Sequence, residues 1–236
     1  MTNLSELYLD QVNLSSLLPQ SLSNLSSLTH LSLKDCNLQG EFPSTIFQLP
    51  TIQVIDLTRN GDLTGFLPEF HSSSNLKSLI LYSTSFSGTL PSSIGNLKSL
   101  SILNLGFCNF VGNMPSSIGN LSQLTSLDVQ FNNLTGQLPP TLGNLSQLTD
   151  LSLMYNKFSG KLPSTLGNLA KLIYLYLDTV GISGELPSTL GNLRQLEIIK
   201  LSNMVIRQRM SYLDNPTNWI KGDSNPKCVG GGLRTQ

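Results

Sequence analysis

His30, Ser32 and Asp35 lie close together in one short stretch, and an imidazole, a hydroxyl and a carboxylate are the parts of a nucleophilic centre. Nothing beside them supplies an oxyanion site. The chain also lacks a phosphate-binding Gly-Lys-Ser/Thr loop, a Cys-x-x-Cys pair and a His-Glu-x-x-His helix, so the reading is a non-enzyme that needs no cofactor or metal. Other residues suit recognition better. Phe107, Phe131 and Tyr155 follow one another at steps of 24, and six Asn-x-Ser/Thr sequons begin at Asn3, Asn13, Asn24, Asn120, Asn133 and Asn144. Such asparagines are glycan acceptors in a secreted protein.

The element that positions these residues is a repeat. A triplet of aliphatic residues spaced L-x-x-L-x-L returns every 24 positions, from Leu4/Leu7/Leu9 through Leu124/Leu127/Val129 to Leu196/Ile199/Leu201. The alternation within each triplet is the period of a strand with one buried face. Nine coils, numbered 1 to 9 along the chain, would therefore stack into an α/β repeat solenoid over residues 1–213. It would carry a concave parallel β-sheet and short helical or 3-10 turns on the convex side.

Eight positions after each first leucine comes a slot occupied by Val12, Cys36, Asn60, Thr84, Cys108, Asn132, Asn156, Val180 and Met204. A buried amide or thiol there can bond the backbone of neighbouring coils. Cys36 and Cys108 read as members of that ladder. A disulfide between them would have to bridge three coils, about 14 Å at ordinary strand spacing. The next segment, as in Leu134-Thr135-Gly136-Gln137-Leu138-Pro139, reads as a glycine-permitted turn closed by proline. Coil 3 carries one extra residue at this point, which a loop is expected to absorb.

The Leu-x-Gly-x-Leu-Pro element, followed by segments such as Gly167-Asn168-Leu169, resembles the plant-type leucine-rich repeat. The stretches Asp35–Pro43, Asp62–Phe70 and Leu79–Gly88 are similar to a block of the plant receptor-like proteins that sense pathogens. The resemblance implies a horseshoe ectodomain at the cell surface that binds a peptide, carbohydrate or protein ligand and engages a co-receptor kinase, in defence or development. The related polygalacturonase inhibitors imply an alternative, a secreted inhibitor of a wall-degrading enzyme. The chain departs from the family in showing no cysteine-paired cap, secretory leader, membrane span or kinase motif, so it also reads as a truncated product, with no independent function as a further alternative. With 14 basic and 14 acidic residues it shows no electrostatic footprint for nucleic acid.

On this fold the ligand would meet the concave sheet. Phe107, Phe131 and Tyr155 would form an exposed aromatic ridge about 5 Å from ring to ring, extended by Tyr82, Tyr174 and Tyr176, with Asp178 supplying a hydrogen bond. The same rings could instead simply stabilise the sheet by stacking on each other. A sugar on Asn133 would restrict access to the ridge. Residues 214–236 match no repeat and read as an irregular tail carrying Trp219 and a lone Cys228.

Overall fold

A computed structural model of the protein describes residues 3–202 and the backbone of Val205–Ile206. The expected end of the solenoid at 213, the Met204 slot, and the tail with Trp219 and Cys228 lie outside the described residues.

Among the described residues, the 24-residue period becomes a parallel sheet of nine strands, one per coil, stacked in sequence order from Glu6–Tyr8 to Ile198–Lys200. The register is one whole repeat at every step: Leu7 pairs with Leu31, Leu31 with Ile55, and so on to Leu175 with Ile199. Alternation turns the leucines inward, and every triplet member from Leu28 to Leu177 is at most 1% exposed. Because each coil covers the apolar face of its neighbour, a coil alone would have no core.

Among the described residues, seven 3-10 turns, such as Ser116–Asn120, Pro140–Asn144 and Ser164–Asn168, close coils on the opposite side. They stack so tightly that a Cβ on Gly143 would come within 2.2 Å of the Thr165 carbonyl oxygen. No helix among the described residues is long and apolar enough to cross a membrane.

The slot ladder forms as the residue types require. Asn132 accepts the Phe110 N–H at 2.9 Å through Oδ1, and its Nδ2 donates to the Leu105 and Val129 carbonyls at 2.7 and 3.1 Å. Asn60 and Asn156 make the same reach across coils. Cys36 and Cys108 are free thiols that donate to the Leu9 and Leu81 carbonyls, and burial pushes both thiols up from their ordinary range.

Two expectations are corrected. The Leu-x-Gly segments are not simple turns: they are strands of a second, six-stranded parallel sheet on the flank, which includes Thr84–Thr89, Asn109–Asn113 and Asn133–Gln137. From Thr84–Thr89 onward its register advances by 22 residues per coil, as in Asn133 with Val111 and Thr135 with Lys157, so the flank there shears by two residues against the main sheet. Glycine is still needed, because Gly136 has φ 73° and its missing Cβ makes room for the Asn113 side chain. The extra residue of coil 3 is taken up within this sheet as a bulge in Asn60–Phe66, where the register shifts between Asn60 and Thr64.

Candidate ligand-binding face

The chain leaves each main-sheet strand and turns toward the flank at a corner residue: Gln11, Asp35, Arg59, Ser83, Phe107, Phe131, Tyr155 or Thr179. All eight have positive φ, between 51° and 61°. The left-handed bend lets the corner N–H continue the inter-coil ladder: Phe107 N–H donates to the Gln130 carbonyl at 2.9 Å, and Phe131 N–H to that of Met154 at 2.9 Å. A side chain with a Cβ is strained in this region, and Asn and Asp tolerate it best. At three successive corners the residue is aromatic instead.

The three rings form a continuous stack. Phe107 to Phe131 and Phe131 to Tyr155 are each 4.1 Å between centroids, with planes 19° and 18° apart. The separation is shorter than strand spacing, and the ridge stands at the rim between the two sheets rather than on the strands themselves. Exposure is 40% for Phe107, 36% for Phe131 and 45% for Tyr155. Tyr82 sets its ring edgewise against Phe107 at 5.2 Å and 63°. Tyr174 and Tyr176 lie within the strand of coil 8, 6.4 Å apart and nearly parallel, with Lys200 Nζ 5.2 Å from the Tyr176 ring centre. They make no ring contact with the stack that brings Phe107, Phe131 and Tyr155 together. Asp178 is 8% exposed, and its Oδ1 accepts the Ser202 N–H at 2.6 Å.

Asp178 is one of several side chains that cap backbone N–H groups at the end of the strands. Asp56 accepts from Thr58, Asn104 from Gly106, and Asp128 from both the N–H and the amide of Gln130. Asp10, like Asp178, reaches one coil further, to the Lys34 N–H. For Asp56, Asn104 and Asp128 the capped N–H lies two residues on, a spacing visible in the sequence. Burial pushes the Asp128 carboxyl up, opposed by hydrogen bonds from the Gln130 N–H and amide and from the Ser152 hydroxyl.

At the first coils the concave face is charged. Lys34 Nζ lies 3.3 Å from Asp10 and 3.7 Å from Asp56, and the bonds to those carboxylates raise its ammonium above the usual range. His30 faces Thr29 and Glu6 through Nδ1, while the Ser32 hydroxyl donates to Asp10, so hydroxyl and imidazole are not coupled to each other. No group of three or more His, Cys, Asp or Glu among the described residues could hold a metal. All six sequon asparagines are exposed. Asn24, Asn120 and Asn144 end 3-10 turns, and Asn133 opens a strand of the flanking sheet.

Comparison with known proteins agrees with the repeat fold. The family described as "Leucine Rich Repeat" matches residues 27–49 and that described as "Leucine-rich repeat region" matches 50–159, together more than half of the chain. Receptor-like protein 6 of Arabidopsis thaliana is 46% identical over 103 residues, 44% of this chain and 10% of that protein. The chain thus matches only about a tenth of that relative's length. The ectodomain of the plant membrane receptor kinase GASSHO1/SCHENGEN3 from Arabidopsis thaliana, solved with CASPARIAN STRIP INTEGRITY FACTOR 2, superposes with a TM-score of 0.81. The match is 32% identical and covers 87% of this chain and 25% of that one. The Arabidopsis receptor kinase HAESA, solved with the peptide hormone IDA and the co-receptor SERK1, gives a TM-score of 0.68 at 28% identity, covering 81% of this chain and 36% of that one. The chain belongs to the leucine-rich-repeat family, carries the plant form of the repeat, and is similar to the ectodomains of plant receptor-like proteins and receptor kinases.

Proposed function

We propose that this chain is a ligand-recognition segment of a plant cell-surface receptor, and that an extended peptide or protein segment lies against the rim ridge of Phe107, Phe131 and Tyr155. The observation that carries this reading is the placement of three exposed aromatic rings at left-handed corners, where Asn or Asp would be more comfortable. Local preference overridden at adjacent, solvent-facing positions is the mark of a surface kept for binding.

Ring orientation favours a peptide over a carbohydrate. The rings are stacked face to face and offer their edges, which suit aliphatic side chains and carbonyl oxygens, whereas a sugar stacks on an open aromatic face. The inhibitor alternative called for a cationic concave patch. The strands and corners instead carry Glu6, Asp10, Asp35, Asp56, Asp128, Asp150 and Asp178 against Lys34, Arg59 and Lys200. The peptide hormone and co-receptor in the HAESA complex support the same class of ligand here and a kinase co-receptor as a further partner.

The test is a screen of synthetic secreted plant peptides against the immobilised 236-residue chain by interferometry. At least one peptide should bind, and Phe131→Asn should weaken it by about tenfold or more, the loss of a contact worth about 1.4 kcal/mol. Absence of any binder, or binders indifferent to Phe131→Asn, would overturn the reading.

A further inference from the structure

Charge divides between the solenoid and the chain that follows it. Residues 3–202 carry 9 basic and 12 acidic side chains, whereas residues 203–236 carry 5 basic and 2 acidic ones. A segment of net charge +3 is thus tethered to a solenoid of net charge −3, and the two attract. Trp219, the one tryptophan of the sequence, falls in that segment beside Ile220 and Lys221.

The point of exit brings this segment within reach of the ridge. Val205–Ile206 pairs with Ser183–Gly184 on the flank, the side toward which the corner residues turn the chain. Phe131 lies three coils back from there, about 14 Å at ordinary strand spacing, and Tyr155 two coils back, about 10 Å. From Arg207 to Trp219 the extended chain spans up to about 45 Å, so the reach is ample. Tethering of this order gives an effective concentration of about 1 mM, at which a contact with a Kd of about 0.1 mM is occupied roughly ten to one. The ring chemistry also matches. The stack of Phe107, Phe131 and Tyr155 presents positively polarised ring edges, and the electron-rich face of an indole meets such edges in the favoured T-shaped arrangement.

We infer that residues 207–221 fold back along the rim as a tethered occupant of the ridge, with the Trp219 face against the edges of Phe107, Phe131 and Tyr155. This rests on the reading of the ridge as a binding surface and adds its regulation. An external peptide binds only where the segment is displaced, so its apparent affinity is lowered by the fraction of ridges left free, about tenfold at the occupancy above.

The test reads Trp219 fluorescence in the full 236-residue chain, where no other tryptophan contributes. In the parent the emission should be shifted to the blue and shielded from acrylamide. Phe131→Asn, with a contact about tenfold weaker, leaves the segment about half docked, so accessibility to acrylamide should rise about fivefold. Tyr155→Asn, at the end of the stack, should act in the same direction, as should high salt on the parent. Trp219→Ser should raise the affinity of a ridge-binding peptide about tenfold. A Trp219 that is fully accessible in the parent, or shielded alike in the parent and both ridge variants as a cap on coil 9 would be, would overturn this inference and leave peptide recognition standing. Peptide affinity indifferent to Trp219→Ser would overturn it as well. If neither the parent nor Trp219→Ser captures an external peptide while Phe131→Asn uncovers Trp219, the docked segment stands and the recognition reading alone falls.

Discussion

Phe131 is the middle ring of the ridge, and replacing it separates what the stack does for stability from what the corner conformation costs. Removing the ring deletes two stacking contacts, each worth about 0.5–1.5 kcal/mol. Phe131→Ala keeps a Cβ at φ 51° and so keeps the left-handed strain. It should therefore cost about 2 kcal/mol, or roughly 4–8 °C in Tm for a chain of this size. Phe131→Asn loses the same contacts but puts at the corner a residue whose short side chain tolerates that region, recovering about 1 kcal/mol. Its Tm should fall by only roughly 2–4 °C. Leu127→Ala in the same coil, where the side chain is 1% exposed, supplies the core reference and should cost about 3–5 kcal/mol. Thermal and urea melts followed by circular dichroism would rank the three variants. If Asn is no better than Ala, corner strain is not the local preference that the aromatics override. If Phe131→Ala costs as much as Leu127→Ala, the ridge is core and its exposure carries no functional meaning.

Glycine spacing on the convex side makes a paired prediction: Gly143→Ala, aimed at the Thr165 carbonyl, should cost about 2 kcal/mol, whereas Gly191→Ala, with nothing within 4 Å, should stay within about 0.5 kcal/mol of the parent in the same melts. Burial raises the folded-state value of the Asp128 carboxyl, so its stabilising effect is present below the unfolded value and is lost as pH rises through the folded one. Asp128→Asn, which still accepts from the Gln130 N–H, should gain on the parent between about pH 3 and pH 7 in urea melts; a relative loss over that window would contradict the assignment. Expression through a plant secretory pathway should place glycans on Asn3, Asn13, Asn24, Asn120, Asn133 and Asn144, read by peptide mass before and after enzymatic deglycosylation. Because Asn133 opens a flanking strand and not the rim, Asn133→Gln should leave affinity for a ridge-binding peptide unchanged, and a gain would show that its sugar covers the ridge.

The sequence by itself determined the period, the inward leucines, the nine-strand sheet and the asparagine–cysteine ladder. Each follows from contacts between residues 24 apart, and a strict period makes those contacts visible as a pattern. It also picked out Phe107, Phe131 and Tyr155 as neighbours for the same reason. The second sheet was hidden, because its register advances by 22 residues and its strands contain glycine, which reads locally as a turn. The caps made by Asn104, Asp128 and Asp178 were hidden too, since a surface carboxylate and one bonded to a backbone N–H look alike in a sequence. That the aromatic column occupies left-handed corners and that its rings close to 4.1 Å was decided by the tertiary structure alone. Those facts depend on φ, on ring rotation and on the neighbours across the sheet, which the spacing of residues along a chain does not encode.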